Sequence, residues 1–274
     1  MNVIIVNSER EVLERAACLV SHQVTKNPCS TLGLGLDPIL LKLYATLVEQ
    51  NVPNKINLRY IKAFCAREKL GKSCFDSSSE LSLVRNQFLA CSHFNHRSCF
   101  APSHEANQNP AEVAENYEAL IDLYGGIDLQ ILSLAADGTF QGNTPGSNFN
   151  SSTRVVHDVS GDFKGISFGL GTIRQSKQIL LIVTGAEKAG AVAAMLESPA
   201  SISNPASCLQ FHKNITVILD QDSASELKNA DRFTKSFHGR LQIVRGTESR
   251  VSNVRKLKLM DFIQNTRTTT STIE

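Results

Sequence analysis

A chain of 274 residues and 30.0 kDa, 42% hydrophobic, is long enough to bury one large core, with or without a tail. A formal net charge of +2 gives no electrostatic reason to expect a nucleic-acid or membrane-surface partner, and no apolar run reaches bilayer-spanning length. Val3–Val6 reads as a strand, and Glu9–Lys26 follows with Val12, Leu13, Ala16, Ala17, Leu19, Val20 and Val24 in a helical stripe. Asn27-Pro28 breaks it. Ser30–Leu36 is a second strand, and Asp37-Pro38 places an N-cap and an N1 proline before a helix over Ile39–Gln50. Leu58–Phe64 is a third strand. Ser77 and Glu80 form a capping-box pattern before a helix over Ser79–Ala90. A polar loop, Ser103–Asn109, leads to an amphipathic helix over Pro110–Tyr124 that Gly125-Gly126 ends.

Leu129–Leu134 is a strand that runs into small and polar residues, Ala135-Ala136-Asp137-Gly138. Beyond it, Thr153–Val159 reads as a strand and Gly165–Ser176 as a glycine-rich turn into a short helix. Gln178–Thr184 is a core strand and Ala186–Leu196 an alanine-rich helix. Pro205–Phe211 is a turn of helix, Ile215–Asp220 a strand, and Ser223–Phe233 a capped helix. Leu241–Val244 and Val254–Ile263 add a strand and a terminal helix, and 266–274 has little to bury. Alternating strands and helices predict an α/β fold with a mostly parallel sheet and helices on both faces. The expected organisation is a domain over 1–235, an extension over 236–265 packed on it, and a frayed tail over 266–274. The start of the chain lacks the basic, apolar and small-residue pattern of a signal peptide, so a cytoplasmic location is expected.

The seven cysteines are Cys18, Cys29, Cys65, Cys74, Cys91, Cys99 and Cys208. An odd count without C-x-x-C spacing predicts isolated buried thiols rather than disulfides or zinc ligands. Cys91, His93, His96 and Cys99 are crowded in one run but lack the spacing of known zinc modules, so no metal and no cofactor is expected. Cys65 as a nucleophile has no identifiable base beside it.

Four segments carry a resemblance. They are Asp128–Pro145 (DLQILSLAADGTFQGNTP), Gly165–Thr172 (GISFGLGT), Gln178–Ala189 (QILLIVTGAEKA) and Pro205–Asp220, in which Pro205, Ala206, Ser207, Leu209 and His212 match. In order and spacing this resembles the glucosamine-6-phosphate deaminase/6-phosphogluconolactonase family, over roughly residues 1–235. The run PGSNF after Thr144 is closest to the galactosamine-6-phosphate isomerase branch. The resemblance implies a Rossmann-like three-layer fold, a small phosphorylated sugar or related anion as ligand, and frequent self-association. It assigns phosphate contacts to Lys188 and to Gly33 and Gly35 of the loop after the second strand, with Asn143 in the signature loop.

The chemistry departs from that pattern. Thr139 stands where the family has histidine and Thr144 where the deaminases have glutamate. The loop Leu34-Gly35-Leu36-Asp37-Pro38 is shorter than the family's phosphate loop, and Asp37 either caps the next helix or repels a phosphate. The family's Asn-Met-Asp-Glu-Tyr after the third strand supplies a carboxylate base. Here Cys65 or Ala66 falls near that position, with Glu68 the nearest carboxylate. Asp137 remains as a catalytic candidate, or as a turn residue of an Asp-Gly pair. Arg154 and Arg174 are basic residues on the same side. The expected function is binding of a phosphorylated sugar with deaminase chemistry impaired. An active amino-sugar-6-phosphate deaminase/isomerase using altered residues is the alternative, and a lactonase-type hydrolase the third reading.

Overall fold

Strand β1 (Asn2–Val6) leads into α1 (Glu9–Lys26) at Ser8, whose hydroxyl accepts from the Glu11 N–H at 3.3 Å. Glu9 and Glu11 in the first turn and Lys26 in the last complement the helix dipole. The computed structural model describes residues 1–50, 57–73, 75–86, 94–105, 107–157 and 164–230. The chain divides into Met1–His238 and Gly239–Glu274. The second part, with the strand and helix expected there, lies outside the described residues, as do Cys91 and His93.

The remaining elements are β2 (Thr31–Leu34), α2 (Pro38–Gln50), β3 (Lys62–Cys65), β4 (Arg67–Lys69), α3 (Glu80–Val84), β5 (Cys99–Phe100), α4 (Pro110–Leu123) and β6 (Leu129–Ser133). After these come β7 (Arg154–His157), β8 (Lys164–Ser167), α5 (Leu170–Gln175), β9 (Gln178–Val183), α6 (Ala189–Glu197) and β10 (Ile215–Asp220). Among the described residues a seven-stranded sheet runs in the order β1-β10-β9-β6-β2-β3-β5, with every pairing parallel. A three-stranded antiparallel sheet, β4-β8-β7, stands beside it.

A parallel strand buried on both faces reads as a continuous apolar run, and β9 is such a strand. Leu180 and Ile182 face a core built with α1 and α2, while Ile179, Leu181 and Val183 face a core built with α4, α5 and α6. The three-layer α/β architecture is therefore present. No helix among the described residues is long and apolar enough to cross a membrane.

Several elements differ from expectation. β4 and β8 carry Arg, Glu, Lys and Gly, and their pairing across about a hundred residues makes them strands. The helix expected over Ser79–Ala90 is α-helical only to Val84 within the described residues. Ser223–Ala230 forms mainly turns instead of a helix, although the Asp220 carboxylate and carbonyl take the Ser223 and Ala224 N–H groups as a helix cap would. Cys18 and Cys29 are exposed, unlike the buried Cys65, Cys99 and Cys208.

Candidate active site

The chain passes from β2 outward to β3 and β5, then returns through α4 to place β6 on the other flank of β2. Strand order reverses between β2 and β6, and ligands of open α/β sheets bind outside the carboxyl ends of the strands at such a point. Next to it, beyond the carboxyl ends of β1, β9 and β10, lies a cleft of about 470 Å³. Its walls include Ser8, Glu9, Pro38, Lys42, Gly185, Glu187, Lys188, Asp220 and Asp222.

Most donors in this cleft are already engaged. The Lys42 ammonium lies 2.6 Å from Glu9. The Gly185 N–H donates to both oxygens of Asp220 at 3.2 and 3.1 Å, and Gly185 sits at φ +98°, a conformation glycine adopts without a Cβ penalty. Lys188 differs. Its side chain is 20% exposed, and its nearest carboxylate, on Glu187, is 3.9 Å away. A lysine so withdrawn from water and so loosely paired is the cleft's available cation among the described residues.

The loop after β6 has a structural logic of its own. Asp137 is exposed, and its carboxylate accepts the Thr139 N–H at 2.9 Å, an Asx turn around Gly138 at φ +81°. Thr139 is half-buried, with no partner for its hydroxyl among the described residues. Asn143 is fully buried. Its amide donates to the carbonyls of Phe140, Gln141 and Phe168, and its oxygen accepts from Arg154 at 3.0 Å. These bonds tie Asn143 into the loop and to the strand that carries Arg154.

Gly33 lies within β2, where a Cβ would stand 2.0 Å from Gln130 Oε1. A Cβ on Gly35 would stand 2.4 Å from Gln141 Nε2, and the Gly35 carbonyl accepts from the Tyr44 hydroxyl. At both positions close packing leaves no room for a side chain. Asp37 stands at the N-cap of α2, where its carbonyl accepts from Leu40 and Leu41. Its carboxylate accepts a hydrogen bond from Ser133 at the end of β6. The structure thus brings Lys188 to the cleft and leaves Asp137, Asn143 and Gly33 outside its walls.

Two further residues stand out only in three dimensions. Gln141 is 4% exposed, sits at φ +48°, and its carboxamide has no partner among the described residues. A non-glycine residue in that region is uncommon and worth a functional question. Arg67 donates to Glu80 at 2.9 Å. Burial pushes the Glu80 carboxyl up to about 7, against the opposing pull of Arg67. The tight turn around Gln141-Gly142 is the one sequence signal that could have exposed Gln141. Arg67 gives none, because its partner is thirteen residues away in sequence.

A family model described as glucosamine-6-phosphate isomerases/6-phosphogluconolactonase matches residues 39–218. The chain belongs to this family. It is 31% identical over 246 residues to glucosamine-6-phosphate deaminase of Shewanella woodyi, covering 84% of this chain and 93% of that one. It is 32% identical over 248 residues to the deaminase of Corynebacterium glutamicum, covering 85% and 96%. A solved monomeric glucosamine-6-phosphate deaminase superposes with a TM-score of 0.77 at 27% identity, over 82% of this chain and 99% of that chain. The 6-phosphogluconolactonase of Trypanosoma cruzi shares the fold, with a TM-score of 0.70 at 19% identity over 83% and 97%.

Glu68 is fully buried and accepts the N–H groups of Lys69, Glu80 and Leu81 at 2.9, 2.9 and 3.0 Å. It is an anchor for the start of α3 rather than a base. Asp76, held down to about 2 chiefly by Ser78, is paired with Lys72 at 3.0 Å. Hydrogen bonding to Cys99 and burial push the Cys65 thiol well up, so a thiolate nucleophile is not supplied. The family-matching His212 is also structural: its Nε2–H donates to the Ser176 carbonyl at 2.7 Å, and Nδ1 accepts from Asn214. Among the described residues no cluster of His, Cys, Asp and Glu could hold a metal ion.

Proposed function

We propose that this protein acts on a phosphorylated amino sugar in the isomerase/deaminase reaction class of its relatives, with Lys188 as the phosphate contact. The observation that carries the reading is Lys188 itself. It is a withdrawn and loosely paired ammonium at the mouth of a cleft, at the carboxyl ends of the strands of a deaminase scaffold. Phosphate is held in such places by a cation together with backbone N–H groups at strand-to-helix turns.

A second reading, binding without turnover, is supported by Glu68 and Thr139. Glu68, the carboxylate nearest the expected base position, is spent on the N–H groups of Lys69, Glu80 and Leu81, and Thr139 cannot relay a proton near neutrality as imidazole does. General acid–base groups are worth ~10²–10⁴-fold in rate, so the active reading entails slow turnover. Ammonia release from glucosamine-6-phosphate, followed beside binding of the same compound, separates the two. Release supports the enzyme, and saturable binding without release supports the second reading. Absence of binding removes both.

A further inference from the structure

We propose that Lys42 is a second phosphate-binding residue of the cleft and that Glu9 occupies its place in the free protein as an internal anion, an inference that rests on the phosphorylated-amino-sugar reading above. Lys42 lies one turn into α2, and Glu9 is the first residue of α1. Both line the cleft, as do Thr184 and Lys188. One Glu9 oxygen accepts from the Lys42 ammonium at 2.6 Å, and the other accepts from the Thr184 hydroxyl at 3.4 Å. Thr184 directly follows β9 and is 6% exposed. An ammonium and a hydroxyl from two separate elements thus converge on one carboxylate inside the cleft. They are the donors that an oxyanion site uses, and the protein's own carboxylate fills it.

That carboxylate is displaceable. The Lys42 and Glu9 side chains are 56% and 42% exposed, and an ion pair so open to water adds little stability. The other carboxylates of the cleft are placed differently. Asp220 is buried and committed to the N–H groups of Gly185 and Ser223, and Glu187 comes no nearer to Lys188 than 3.9 Å. Among the described residues Glu9 is therefore the carboxylate that holds a cation of the cleft at hydrogen-bond distance. A phosphate monoester carries more negative charge than a carboxylate and presents three acceptor oxygens, so it attracts the two lysines of this cleft more strongly than Glu9 attracts one. On binding, the Glu9 side chain swings into the solvent it already faces, and Lys42 passes to the phosphate.

The test measures affinity for glucosamine-6-phosphate by calorimetry on the full chain at low ionic strength. Lys42→Met should weaken binding by about fivefold or more. Glu9→Gln should tighten it by about threefold, and the double variant should lose that gain. The opposite signs are diagnostic, because a pair that merely clamps α1 to α2 is broken equally from either side. Asp222→Asn removes an exposed charge from the same cleft, one without an ion pair among the described residues. It should change affinity less than Glu9→Gln does. Single variants that shift affinity in the same direction, a Lys42→Met variant that binds as the native protein does, or an Asp222→Asn variant that matches Glu9→Gln, overturn the inference. Weaker binding by Lys188→Met, measured beside them, then leaves the Lys188 reading standing. A native protein that does not bind the compound overturns both.

Discussion

Arg67 Nε lies 2.9 Å from Glu80 Oε2, and this ion pair is largely buried, with side-chain exposures of 26% and 6%. It joins β4 to the start of α3, beside Glu68, whose carboxylate holds the first N–H groups of that helix. Both carboxylates of this segment are engaged inside the protein, Glu80 by Arg67 and Glu68 by backbone N–H groups.

Replacing Glu68 by alanine should therefore be a stability change first. Three backbone donors lose their acceptor in a buried setting, and the expected loss is about 2–4 kcal/mol. Denaturant unfolding checks this. A loss under about 0.5 kcal/mol would mean that water satisfies those donors and that Glu68 is free for another role.

Glu80 predicts a pH signature. Its folded carboxyl titrates at about 7, above its ordinary 4.5, chiefly because of burial. The folded state then holds a proton that the unfolded state releases. This contribution is fully present below about pH 4.5 and is lost as pH rises through about 7. Thermal melts of the native protein and of Glu80→Gln across that window should differ in slope, with the variant flatter. Parallel curves would place the Glu80 titration elsewhere.

Asp137 is expected to act on the turn. Asparagine preserves the Asx geometry, so Asp137→Asn should stay within about 0.5 kcal/mol of the native stability, while Asp137→Ala should lose about 1 kcal/mol. Equal losses in the two variants would show that charge, and not the bond to the Thr139 N–H, is what the loop needs.

Gln141 carries a cost that the fold tolerates. Its φ of +48° and its unpartnered buried carboxamide each work against stability. Gln141→Gly should raise stability by about 1 kcal/mol, after allowing for the packing its side chain provides against Gly35. A fall in stability instead would mean that the carboxamide is well satisfied in solution.

The major strands were readable because their burial is written in composition: QILLIVT admits few readings other than a strand buried on both faces. The helices carry stripes and caps that are local, as at Ser8 and Asn109. β4 and β8 were not readable, since charged and glycine-bearing residues form strands there through each other. The site was legible by type and only partly by role. Lys188 stands where a strand-to-helix turn puts it, and the structure adds close packing at Gly33 and Gly35 and internal hydrogen bonds at Asn143, which the sequence did not disclose. Asp37 reads as a cap in sequence, and only the structure shows its carboxylate accepting from Ser133, ninety-six residues on.

The most direct test of the central claim is calorimetric binding of glucosamine-6-phosphate to the native protein and to Lys188→Met. The substitution keeps the stem and removes the charge. Saturable binding that weakens by about tenfold or more in the variant is the predicted result. Equal binding by the two proteins, or none by the native chain, would contradict the assignment of this cleft to a sugar phosphate.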